Sequence, residues 1–133
     1  MDEYKDLFFE TELEQEPHLL PPLVLAYVGD AVFELYIRLK LVGKTSKMQE
    51  LHQQAVSYVK AEAQSDILSQ WEEVLTEDEQ SILRRGRNAK GNVPRNTEVI
   101  TYRRSTGFET LIGYLYLARK TDRLQELLSM ISI

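Results

Sequence analysis

The stretch "LAYVGDAVFELYIRLKL", residues 25–41, is nearly continuous apolar sequence with a single carboxylate, Asp30, in its first half. Leu25, Val28, Val32, Leu35 and Leu39 recur at helical spacing as far as Gly43, and Pro21 and Pro22 suit a helix's first turn, so the stretch reads as a helix. A buried, unpaired carboxylate costs several kcal/mol and is normally neutralised, paired or bound to a metal. Two readings of Asp30 follow. It is an N-cap, accepting a backbone N–H as the helix begins, or it is a ligand set inside the helix. Because the apolar periodicity already runs before Asp30, the second reading puts Ala26, Tyr27, Phe33 and Glu34 one turn away from it.

Working outward, the rest of the chain also reads as helix. Ser46 with Gln49 has the spacing of a capping box opening a second helix through Leu51, Ala55, Val59 and Ala63. Thr76 with Glu79 has the same spacing, ahead of Ile82, Leu83, Arg84 and Arg85. "GRNAKGNVPRNT", residues 86–97, with two glycines, a proline and three asparagines, is a loop by local criteria, and irregular loops of that length are usually functional or disordered. "YRRSTGFETLIGYLYLARK" returns to helical spacing through Phe108, Leu111, Ile112, Leu115 and Tyr116. Thr121 or Asp122 then caps a last helix carrying Leu124, Leu127, Leu128 and Ile131. The expected fold is all-α, in one domain spanning residues 1–133.

With no cysteine, the chain has no disulfide, thiolate–metal site or cysteine nucleophile, and reads as cytoplasmic. The longest apolar run, residues 19–28, contains two prolines and is too short to span a bilayer, so no membrane is expected. A net charge of −5 argues against nucleic acid only as an average. Arg84, Arg85, Arg87, Lys90, Arg95, Arg103 and Arg104 face one acid, Glu98, between them. That segment is a local anion-binding surface or a solvated charged face. Tyr102, beside Arg103 and Arg104, is placed to contact a ligand there.

Glu109 repeats the question posed by Asp30, as the only acid in "STGFETLIGYLYL". Gly107 and Gly113 narrow that helix and permit another to approach closely. If the two helices pack, Asp30 and Glu109 can together hold a hard cation such as Mg²⁺, which takes a few carboxylates plus water and phosphate oxygens. "VGKTS", residues 42–46, fails as a phosphate-binding loop because Arg38 stands where its first Gly belongs. Neither His18 nor His52 has a partner at metal-ligand spacing.

"LAYVGDAVFELYIR" resembles the ribonuclease III signature helix, and "TGFETLIGYLYL" that family's second acidic helix. With "RRGRNAKGNVPRNT" between them, the resemblance narrows to the Mini-III ribonucleases, the short branch without a double-stranded-RNA-binding domain. Ordinary ribonuclease III has a Glu where this chain has Ala26 and an Asp where it has Thr106, and both departures are similar to the Mini-III pattern.

The resemblance implies a homodimer that cuts double-stranded RNA with Mg²⁺, leaving 5′-phosphate and 3′-hydroxyl ends. The implied substrate is the stem joining the ends of the large-subunit (23S) ribosomal RNA precursor, with a ribosomal protein as a further candidate partner. Asp30 and Glu109 carry over as catalytic, metal-holding residues. Arg84, Arg85, Arg87, Asn88, Lys90, Arg95, Asn96, Thr97, Tyr102, Arg103 and Arg104 are the expected RNA contacts. The competing reading is a non-catalytic helical RNA-binding or ribosome-assembly module.

Overall fold

In the computed structural model, which describes residues 12–89, 91–95 and 98–133, Pro22 is the first residue of a long helix, α1 (Pro22–Val42), with Pro21 as its N-cap. Proline suits that position because the N–H it lacks has no partner in a helix's first turn. Five further α-helices follow: α2 (Met48–Val59), α3 (Ala61–Trp71), α4 (Glu77–Arg87), α5 (Val99–Leu117) and α6 (Thr121–Ser129). No strand occurs among the described residues, as the all-α reading expected.

The architecture is organised around α5. Nine of its residues, among them Phe108, Leu111, Ile112 and Leu115, are buried, and α1, α3, α4 and α6 all pack against it. Its burial on several sides explains why it is apolar on several sides. Phe33 of α1 meets the Phe108 ring edge-on at 5.0 Å, and Trp71 of α3 lies tilted over the same ring at 4.8 Å. This aromatic trio joins the three helices that build the site.

The structure corrects several expectations. The buried side of α1 is Leu25, Gly29, Phe33, Ile37 and Leu41, whereas Leu35 and Leu39 are exposed. A helix apolar all round offers no single stripe, so spacing alone could not choose the face. The second expected helix is two: the chain turns extended at Lys60, between α2 and α3. Ser46 and Gln49 form no box; Thr45 Oγ1 instead accepts from the Lys47 backbone N–H at 3.2 Å and donates to Glu50 at 2.8 Å. No side chain caps α6, whose N-cap is Lys120. Finally, α4 continues through Gly86 and Arg87, shortening the loop from its start. By contrast, the Thr76–Glu79 capping box is complete in both directions.

Candidate active site

The site is set by two glycines. Where α1 crosses α5, a Cβ on Gly29 would overlap the Glu109 carbonyl and stand 2.8 Å from the Gly113 backbone nitrogen. One on Gly113 would overlap the Leu25 carbonyl and stand 3.0 Å from the Gly29 nitrogen. Backbone thus touches backbone, closer than any two side-chain-bearing residues allow. Thr110 fastens the same crossing, its single Oγ1–H shared between Thr106 O at 2.7 Å and Pro22 O at 3.2 Å.

Asp30 follows Gly29 directly, and Glu109 lies one turn before Gly113. The crossing therefore delivers the two carboxyl groups to hydrogen-bonding reach of each other. Asp30 is well inside α1, which rules out the N-cap reading. It is exposed, while Glu109 is half-buried, so the pair sits at an opening rather than in the core. Burial first, then hydrogen bonding and like charge from Asp30, push the Glu109 carboxyl up to about 8, against a smaller opposing effect from Gln64. At neutral pH the metal-free pair therefore keeps a proton on Glu109.

Gln64 is a site residue that the sequence reading missed. It is 2% exposed on α3, and its Nε2 donates to Glu109 Oε2 at 3.3 Å. Its only sequence signal is a polar residue at the head of the buried row Gln64, Ile67, Leu68, Trp71. Ala26 and Thr106 are buried and add no carboxylate; Thr106 Oγ1 donates within its own helix to Tyr102 O at 3.0 Å. Among the described residues no group of three or more His, Cys, Asp or Glu is placed to hold a metal. Any cation here would rest on two carboxylates.

The expected RNA contacts divide. Arg85 donates from Nη1 to His18 O and from Nη2 to Leu20 O at 2.9 Å, tying the 3₁₀ turn at Pro17–Leu19 to α4. Arg104 donates from Nε to Ser65 Oγ at 2.8 Å and from Nη2 to Ser65 O and Ser69 Oγ, and pairs with Glu72 at 2.7 Å. Both guanidiniums have internal work. Arg84, Arg95 and Arg103 are exposed, Arg87 and Tyr102 half-buried, and Asn88 is the exposed C-cap of α4. Lys90, Asn96 and Thr97 lie outside the described residues. The basic segment leaves α4 where Gly86 packs on Thr110 and Gly107 on Leu83, beside Glu109 in sequence.

The crossing thus presents one acid from each of two apolar helices. Residues 23–120 match the Ribonuclease III domain. A Mini-ribonuclease 3 from Thermoanaerobacter sp. (strain X514) is 50% identical over 113 residues, 84% of this chain and 80% of that one. One from Staphylococcus aureus (strain NCTC 8325 / PS 47) is 45% identical over 124 residues, 89% of this chain and 92% of that one. A crystal structure of a protein from Fusobacterium nucleatum superposes with a TM-score of 0.78 at 29% identity, covering 84% of this chain and 91% of that one. The chain belongs to the ribonuclease III family, in its Mini-ribonuclease 3 branch. It is an endoribonuclease. No helix among the described residues is long and apolar enough to cross a membrane.

Proposed function

We propose that the chain hydrolyses double-stranded RNA with Mg²⁺, as a homodimer, at the stem joining the ends of the 23S ribosomal RNA precursor. The observation that carries this reading is the Asp30–Glu109 pair. Two carboxylates are held together by a backbone crossing, and among the described residues no Lys or Arg forms an ion pair with either. Such a pair retains a proton or takes up a cation. A set of two carboxylates at an opening, with room for water and phosphate oxygens, fits Mg²⁺.

When bound, Mg²⁺ supplies positive charge against the scissile phosphate and acidifies water. Asp30 and Glu109 are the residues that would hold it, and Gln64 stands behind Glu109. Hydrolysis forms a bond from water oxygen to phosphorus and breaks the bond from phosphorus to the 3′ oxygen. The products are a 5′-phosphate and a 3′-hydroxyl.

Arg84, Arg87, Arg95 and Arg103, with Asn88 and Tyr102, are the groups proposed to meet the duplex. Double-stranded RNA is recognised through backbone, shape and 2′-hydroxyls, which suits a row of arginines without a base-reading element. Dimerisation is supported by the outer side of α1, where Val24, Tyr27, Leu35, Leu39 and Val42 are exposed. A second copy covering that face would set two sites across a two-fold axis, one per strand. Light scattering at micromolar concentration should give the dimer mass.

The test of the reaction is to offer the precursor stem as a duplex and as separated strands, with Mg²⁺ and with chelator. Cleavage of the duplex alone, only with Mg²⁺, and products degraded by a 5′-phosphate-dependent exonuclease are expected. Equal cutting of single strands, or cutting in chelator, would overturn the proposal.

A further inference from the structure

Gln64 is hard to account for by packing. It occupies the first position of a buried row whose other members are Ile67, Leu68 and Trp71, and at 2% exposure a leucine would fill the place without an amide to satisfy. A buried polar group left without a partner costs about 1–3 kcal/mol. Its amide finds one in Glu109. The chemistry of that choice is specific: an amide donates to a carboxylate without adding charge. A Lys or Arg there would compete with a cation for Glu109, and a Glu would add a third acid to a crowded pair. A carboxylate has about four acceptor positions, so one donor fixes its orientation and leaves the others for a ligand.

The register that brings Gln64 to Glu109 is held from the same helix that carries Glu109. Arg104, on α5, grips both the hydroxyl and the carbonyl of Ser65, the residue after Gln64, and reaches Ser69 and Glu72 along the same face of α3. Rotation or sliding of α3 on α5 would break these hydrogen bonds together.

We propose that Gln64 is a positioning residue that orients the Glu109 carboxylate for its cation, and that Arg104 sets the α3 register on which this depends. The inference rests on the reading of Asp30 and Glu109 as the metal-holding pair. Partners that orient metal ligands from behind typically change affinity or activity by about 10–100-fold when removed.

The experiment compares Gln64→Leu, Gln64→Met, Arg104→Ala and Asp30→Asn with the parent chain. Mn²⁺ and Mg²⁺ are titrated by calorimetry without RNA, and single-turnover duplex cleavage is followed against Mg²⁺ concentration. Both Gln64 variants should melt no lower than the parent, hold Mn²⁺ and Mg²⁺ about 10-fold more weakly or worse, and shift the Mg²⁺ midpoint of cleavage upward by the same factor. A purely structural role would move the melting temperature instead. The unbranched Met side chain keeps the test available if Leu misfolds. Arg104→Ala should raise the Mg²⁺ midpoint and leave the salt dependence of duplex binding unchanged, whereas a phosphate-binding role would lower that slope by up to about 0.9. Unchanged midpoints in the Gln64 variants, while Asp30→Asn abolishes cation binding and cleavage, would overturn this inference alone. Retention of both by Asp30→Asn would instead overturn the metal-pair reading beneath it.

Discussion

Glu79 and Glu109 are two glutamates withdrawn from solvent in one small fold, and they are treated in opposite ways. Burial would raise the Glu79 carboxyl, but hydrogen bonds from Arg123 and from the Thr76 backbone N–H outweigh it and hold the group below the usual range. Arg123 reaches it from α6 with Nε at 2.8 Å and Nη2 at 2.9 Å, and also donates to Val74 O at 2.7 Å. Every charge at that junction has its complement. At the α1–α5 crossing, Glu109 meets a second acid and one neutral amide, and its carboxyl is pushed up to about 8. The first arrangement closes a fold, and the second leaves its acids to a proton or to a cation from outside the chain.

The largest expected effect separates the two glutamates by activity. Asp30→Asn or Glu109→Gln should lower single-turnover cleavage by several orders of magnitude while leaving a folded chain that still binds duplex RNA. The double variant should be little worse than either, because the residues act as one unit. Glu79→Gln should leave the rate per folded molecule close to that of the parent.

Stability should separate them in the other direction. Removing one partner from the Glu79–Arg123 pair, as in Arg123→Ala, strands a buried carboxylate and should destabilise by about 3 kcal/mol, read by denaturant melts. Glu109→Gln should raise the metal-free melting temperature at pH 8.5, since it removes a like-charge conflict.

Arginines with internal partners should likewise differ from those without. Replacing Arg84, Arg87 and Arg103 together by Ala should weaken duplex binding and lower its salt slope by up to about 0.9 for each phosphate no longer neutralised. Arg85→Ala should act chiefly on the melting temperature, through the released His18 and Leu20 carbonyls.

The last effect is the pH dependence of stability, and its sign differs between the two glutamates. An acid whose folded-state pKa stands above its unfolded value supports folding fully below the unfolded pKa, and that support fades as pH rises through the folded one. For Glu109, raised from 4.5 to about 8, the metal-free melting temperature should fall between pH 4.5 and 8 and then level. Millimolar Mg²⁺ should remove this decline, because binding displaces the proton. Glu79 behaves inversely: its contribution is present above its ordinary pKa and disappears as pH falls through the depressed one. Glu109→Gln should flatten the first limb and Glu79→Gln the second.

What could be read from sequence was what is held together locally. The Thr76–Glu79 box and the row Leu124, Leu127, Leu128 depend on neighbours within two turns, and both stand as read, while Ile131 is buried but lies past the end of α6. Asp30 and Glu109 stood out because each is an isolated acid in apolar sequence, and Gly113 was rightly taken as a point of close approach. The face of α1 was not legible, since the residue that decides it, Gly29, has no side chain and its partner lies in a distant helix. Gln64 escaped for the same reason: a polar residue heading an apolar row reads as the row's edge until Glu109 is brought to it. The break at Lys60 carries no Gly or Pro, so no local breaker announces it. Counting cations found the basic segment but could not show that Arg85 and Arg104 already had partners.

The meeting of Gly29 with Gly113 also fixes a tolerance. Helices that meet through side chains keep a spacing averaged over rotamers and adjustable by repacking, whereas two main chains in direct contact are stopped by hard-core repulsion. The gap between the two helix backbones that carry the carboxylates is therefore gauged by peptide groups. Trimming Ile37 or Leu127 in the core would make the chain melt earlier and leave that gauge, and the rate per folded molecule, as they were. One methyl group added at either glycine changes the gauge itself.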